Sequence, residues 1–252
     1  KDIDATQAFA NFHVRSKKAR KYLSTLPSRD APNAKQTNSK LPGQSALLDD
    51  FNKLTADLTD EGFFKPAPMH VLFRVLEIVA LHALGLYMVF SGYVWSGMAV
   101  LGLASGRCGW LMHEGGHYSL TGNISMDRSL QIILYGVGCG MSGSWWRNQH
   151  NKHHSMPQKL HHDVDLNTLP LVAFTEKVVK RIGVPMKIWI RLQAAMFPIC
   201  TTMLVALGWQ LYLHPRHIMR RKEKSEGAML ILRYVLWTYL FTANFGVGAS
   251  AA

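Results

Sequence analysis

Twelve histidines occur in the 252 residues, and five of them fall into two short clusters, HEGGH at 113–117 and HNKHH at 150–154. In a helix His113 and His117 stand four apart on one face, and His150, His153 and His154 stand at i, i+3 and i+4. Each cluster can therefore aim its imidazoles at one point. Gly115 and Gly116 remove side chains beside the first pair, so another backbone or a metal can come close. Neutral imidazole is a ligand for iron, zinc, copper or nickel, and five convergent imidazoles exceed the four positions of a usual zinc site. More than one metal is the natural inference. HEGGH also satisfies H-E-x-x-H, the zinc-peptidase pattern with Glu114 as general base, but that chemistry has no use for the three extra histidines of the second cluster. His70, His82, His214 and His217 read as packed or interfacial residues.

The elements that position the clusters are apolar. Mean hydropathy is +0.01 although residues 1–65 are strongly polar, so the apolar residues are concentrated downstream. Runs at 71–90 and 94–112 are each about 20 residues, long enough to cross a bilayer, with a turn at 91–93. A third run at 192–213 carries no charge, and a fourth at 229–248 is interrupted only by Arg233. The expected fold is an all-helical polytopic membrane protein with about four transmembrane helices. A Gly- and Ser-rich stretch at 129–146 is expected to be partly embedded, because a crossing there would put the two histidine clusters on opposite faces. Four spans place the basic segment 216–224 on the side away from the clusters, against the usual charge bias. Residues 175–191 mix Val178, Ile182, Ile188 and Trp189 with lysines and arginines, as a segment lying on the bilayer surface does.

Lys plus Arg number 28 against 16 Asp plus Glu, a net charge of +12, which suits a nucleic acid or an anionic membrane. The basic residues gather at the edges of apolar runs rather than in a stripe with interleaved aromatics, so membrane lipid is the expected partner and nucleic acid is not. Cys108, Cys139 and Cys200 all lie in apolar surroundings and read as small buried hydrophobes, not a disulfide framework. At the N-terminal end a basic stretch at 15–21 precedes a linker at 27–44. An amphipathic helix over 45–64, with Leu47, Leu48, Phe51, Leu54 and Leu58 on one side, could dock on protein or membrane. Both ends of the chain read as cuts.

At the clusters the chain resembles the membrane-bound histidine-box fatty acid desaturases, specifically the front-end type fused to cytochrome b5. HEGGH resembles the first box, SWWRNQHNKHH (144–154) the second box with its preceding tryptophans, and HHDVDLNTLPLVAF (161–174) the stretch that follows. The resemblance implies two non-haem iron ions that activate dioxygen and remove two hydrogens from an unactivated acyl chain, with His113, His117, His150, His153 and His154 as iron ligands. DATQAFANFH (4–13) resembles the end of a cytochrome b5 domain, which would make His13 an axial ligand of haem b in the parent chain, its partner lying in an HPGG motif before Lys1. The implied organisation is a haem-domain remnant at 1–26, the linker at 27–44, and a membrane desaturase domain at 45–252 cut before a third box of Q-x-x-H-H type. Such a piece is expected to be inactive by itself.

The same resemblance implies a fatty acyl-CoA or acyl-lipid substrate, electrons from NADH-cytochrome b5 reductase through cytochrome b5, and a multi-pass place in the endoplasmic reticulum membrane with the boxes facing the cytosol. A fatty acyl or sphingolipid hydroxylase and a sphingolipid desaturase share such boxes. A non-enzymatic metal-binding membrane protein would set ionisable residues within its spans, where only His82 and Arg233 qualify. Regioselectivity, delta-4, 5, 6 or 8, stays open. His161 and His162 match no box, Asn244 reads as a helix-packing residue or a contributor to the centre, and Trp145 and Trp146 suit the membrane interface or the mouth of an acyl channel.

Overall fold

The computed structural model describes residues 9, 13, 17–29, 44–166, 168, 171–180 and 182–245, and among these every regular element is a helix. The chain divides into two units, Lys1–Lys65 and Pro66–Ala252. In the first unit α1 (Lys17–Thr25) is a basic helix and α2 (Gln44–Asp60) is the expected amphipathic one, with Leu47, Phe51 and Leu54 exposed. Of residues 1–26, where the sequence suggests a haem-domain remnant, only 9, 13 and 17–26 are described, and most of the linker lies outside the described residues.

The second unit begins with a hairpin of α3 (Pro68–Phe90) and α4 (Val94–Gly116). Apolar content drives the pairing, but glycine sets its closeness. A Cβ at Gly97 would lie 2.8 Å from the carbonyl oxygen of Gly85, and one at Gly85 would lie 3.1 Å from that of Gly97. Only residues without side chains let the two backbones meet there. Next, α5 (Ile124–Ile133) is capped by Asn123, whose Oδ1 accepts from the Ser125 and Met126 N–H groups, and it continues as a π-helical stretch, Leu134–Cys139. Gly140, at φ +72°, ends it. This element packs back on α3 and α4 through Ile78, Cys108, Leu111, Met112, Leu134 and Tyr135. Cys108 and Cys139 are buried free thiols, and Cys139 Sγ donates to the Ser105 carbonyl. The stretch 129–146 thus packs beside α4 and breaks at Gly140.

The second histidine cluster sits on α6 (Gly143–Ser155). Two short helices follow, α7 (Glu176–Val179) and α8 (Val184–Arg191), so the expected surface segment is interrupted around Gly183 and Pro185. After these, α9 (Gln193–Met203) and a π-helical stretch (Leu204–Leu213), both apolar, run on into the basic α10 (His214–Arg221), and α11 (Lys224–Phe245) closes the described chain. Among the described residues, two helices are long and apolar enough to cross a membrane, Pro68–Phe90 and Gln193–Arg221.

One expectation is corrected. The segment 216–224 does not lie across a bilayer from the histidines. His217 Nε2 is 3.2 Å from Ser144 Oγ, the Glu226 carboxylate accepts from the Ser144 N–H at 2.8 Å, and Glu223 pairs with Arg128 at 3.6 Å. Ser144 precedes His150 by six residues, about 9 Å of helix axis, against about 30 Å of hydrocarbon core. The basic segment and the histidines share a side.

Candidate metal centre

The last turn of α4 carries His113, with His117 closing the helix. The loop that follows is tied down by Asp127, which is fully buried and accepts from the Leu120 and Thr121 N–H groups at 3.2 and 2.9 Å. Gly115 packs on the Asp127 carbonyl, and a Cβ at Gly116 would collide with Trp146 and Gln131. The glycines of HEGGH therefore admit neighbouring protein, and through it bring α6 against α4.

The start of α6 is held from the far end of the sequence. Glu226, 2% exposed, accepts from Ser144 N–H and Oγ at 2.8 and 2.9 Å and from Ser142 Oγ. A carboxylate at this end of a helix meets the positive pole of its dipole. The Ser142 N–H donates to Nδ1 of the buried His214 at 2.8 Å, and Arg147 donates to Gln131 Oε1. Deeper down, Arg233 donates to the Val137 and Gly138 carbonyls at 2.6 and 2.7 Å, and Gln210 donates to that of Cys139 at 2.7 Å. These bonds satisfy the carbonyls that the π-helical end leaves open.

So positioned, the two helices bring four imidazoles to one point. Ligand nitrogens of His113, His117, His150 and His154 all lie within 4.8 Å of one another. His150 Nε2 is 3.1 Å from His117 Nε2 and 3.0 Å from His154 Nε2. Burial, and then the neighbouring imidazoles, make three of these rings, His117, His150 and His154, poor bases. His150 is pushed down to about 4, chiefly by burial and then by His154, His113, His117 and His153. His117 and His154 are lowered by the same two causes. His117, His150 and His154 are therefore neutral at pH 7, and the converging nitrogens present lone pairs that a shared proton satisfies only one pair at a time, so the donor set fits a transition-metal cation. Trp146 closes one side, stacked on His150 at 4.2 Å and edge-on to His113 at 5.1 Å.

His153 stands apart from this group. Its Nδ1 faces the buried Asp163 at 2.9 and 3.0 Å and Asp165 at 3.3 Å, and the hydrogen bond to Asp163 raises its proton affinity. Burial works against ionisation of Asp163, but His153 and the N–H groups of Asp165 and Gln158 outweigh it and hold the carboxyl below its usual range. A carboxylate on Nδ1 fixes the tautomer and leaves the Nε2 lone pair for a metal, an arrangement found at many metal sites. Glu114 does the same for His113, with Oε1 at 3.1 Å from Nδ1, while its other oxygen accepts from Ser119. Although exposed, it is an orienting group here.

The fatty acid desaturase family matches residues 68–252. The chain belongs to that family. It is 55% identical over 246 residues to an acyl-lipid (8-3)-desaturase of Rebecca salina, covering 97% of this chain and 56% of the relative. It is 46% identical over 248 residues to an acyl-lipid (8-3)-desaturase of Thraustochytrium sp, covering 96% and 56%. A Delta(8)-fatty-acid desaturase of Euglena gracilis is 27% identical over 246 residues, 92% of this chain and 57% of the relative. The chain thus spans little more than half the length of these relatives. No solved structure matches it. The histidine-box resemblance is borne out, and neither the peptidase nor the non-enzymatic reading is needed.

Several residues of this desaturase chain differ in role from the sequence reading. Of the five box histidines four meet at one point, and His153 faces Asp163 instead. Trp145 lies on His214 at 4.3 Å, and Trp145 and Trp146 both line a cavity of about 770 Å³ together with Tyr135, His150, Phe197 and Trp209, the second of the two places the sequence offered for them. His161 and His162 join neither ligand group, His162 facing the Leu160 carbonyl. His13 faces the Phe9 carbonyl through Nδ1 at 2.9 Å, and the side chain of Asn244 lies outside the described residues. His214, read as a packed residue, is buried, but Glu226, Asp127 and Gln131 were missed. Their signal was polarity within or beside apolar stretches, which marks a group with a buried partner without naming it.

Proposed function

We propose that the protein of which this chain is part is a front-end polyunsaturated fatty acid desaturase that inserts a cis double bond into an acyl-lipid. The observation that carries this reading is the convergence of His113, His117, His150 and His154, with His150 on the wall of an apolar cavity. With His153 they would hold two non-haem irons, which supply dioxygen activation. Overall, dioxygen, two electrons and two protons are consumed with two C–H hydrogens, giving the alkene and two waters. The chain's own residues do the rest. Apolar walls at Phe197, Leu204 and Trp209 hold the acyl chain and exclude water, while Trp146 packs against His150 at its edge. Glu114 and Asp163 keep the His113 and His153 rings in one tautomer.

The relatives' names favour an acyl-lipid over an acyl-CoA carrier. His13, with Nδ1 donating to Phe9, has its Nε2 lone pair for haem b, and electrons would pass from NADH-cytochrome b5 reductase through that domain. In the endoplasmic reticulum membrane the hairpin of α3 and α4 would cross and return, with the histidines and residues 216–224 on the cytosolic side. The contacts of His217, Glu223 and Glu226 support this arrangement and restore the charge bias.

The test is elemental analysis of the detergent-purified full-length protein, with fatty-acid profiling of cells that lack such an enzyme. Two non-haem irons per chain and a new cis double bond are expected, both lost when His150, His153 and His154 become Ala. A single zinc that survives the triple change would overturn the reading.

A further inference from the structure

Beside the apolar cavity lies a charged one. A space of about 540 Å³ between α6 and α10 is lined by Arg216, Arg220 and Arg221, with His217, Asn148 and Ser144 completing its polar wall. Trp145 and Leu213 line this space and the apolar cavity alike, so the two adjoin. Glu223 is the one carboxylate on the wall, and it is engaged by Arg128 at 3.6 Å. Arg216 lies over the Tyr212 ring at 5.6 Å, and among the described residues none of the three arginines forms an ion pair. Three guanidinium groups against one partnered carboxylate leave a strongly positive concavity, which calls for an anion. Planar, permanently charged forks match phosphate oxygens in pairs.

We infer that this cavity binds the phosphate of the molecule that carries the acyl chain, which brings the ester end to Trp145 and sends the chain past His150. Asn148 lines the charged cavity and His150 the apolar one, about 3 Å apart along the helix axis. The phosphate therefore sits close to the histidines, as an enzyme acting near the carboxyl end requires. The inference rests on the desaturase reading above. Its chemistry has two sources, a phospholipid headgroup or the phosphates of coenzyme A, and the phospholipid is the expected one.

The experiment uses the full-length protein in detergent and a variant carrying Arg216→Gln, Arg220→Gln and Arg221→Gln. Equilibrium binding is measured with three radiolabelled probes bearing one C20 acyl chain type: phosphatidylcholine, the CoA thioester and the methyl ester. Affinity for phosphatidylcholine should fall about tenfold for each guanidinium that engages phosphate, while the methyl ester binds as before and the iron content is unchanged. A fall confined to the CoA thioester keeps the phosphate site and moves its source to coenzyme A. Wild-type binding of both phosphate-bearing probes by the variant overturns the inference, as does an equal loss of all three. If the wild type binds as expected yet forms no double bond in cells, the desaturase reading fails while the phosphate site stands.

Discussion

Neighbouring histidines on α6 live in opposite electrical environments. His150 and His154 face other imidazoles under Trp146, where burial and crowding strip them of protons; His153, between them in sequence, faces Asp163 and Asp165 and holds its proton more tightly. One helix therefore offers lone pairs on one side and a carboxylate-oriented ring on another. The difference teaches that ligand spacing alone does not define a metal site. The group on the other face of each ring decides what that ring presents.

The strongest way to break this contrast is His150→Ala, which removes the ring whose Nε2 lies near both His117 and His154. Iron binding and product formation by the full-length protein should both vanish, read by elemental analysis and fatty-acid profiling; retained iron would show that His150 is not central to the donor set. Next, Asp163→Asn keeps the shape but weakens the hold on His153. Metal affinity should fall by about 10- to 100-fold, measured by competition with a chelator, with the helical circular dichroism unchanged. Glu226→Gln acts at the other end of α6, away from any ligand. Losing the carboxylate bonds to Ser142 and Ser144 should cost about 2 kcal/mol, seen as a lower Tm in detergent, with iron binding affected only through that loss.

The smallest effect is on pH dependence, and its sign separates the two environments. In the metal-free protein His150 takes up its proton only near pH 4, whereas the unfolded chain does so near about 6.5. The unfolded state then binds more protons in that window, so stability falls as pH drops from about 6.5 towards 4. His153 is raised, so its contribution is present at low pH and fades as pH climbs through its folded value. Unfolding followed against pH should show a shallower acid-side slope in His150→Ala, and in His153→Ala a smaller loss of stability as pH climbs above about 6.5 with the acid side unchanged; the same change in both variants would refute the contrast.

Much of the architecture was legible in one dimension. Long apolar runs announce helices because a bilayer or a core tolerates no unsatisfied backbone, and 71–90 and 94–112 fall within α3 and α4. The clusters HEGGH and HNKHH fix ligand type and helical face through the 3.6-residue period alone. Period says nothing about what lies opposite, however. That His153 turns to Asp163 while its neighbours turn to His117, that Glu226 caps α6 from 82 residues beyond Ser144, and that residues 216–224 share a side with the histidines all depend on contacts between distant segments. The sequence by itself determined the helices, the donor chemistry and the family. Only the tertiary structure decided which rings meet and which carboxylate orients each, because a buried polar group takes its partner from whatever the packed chain brings within hydrogen-bond reach.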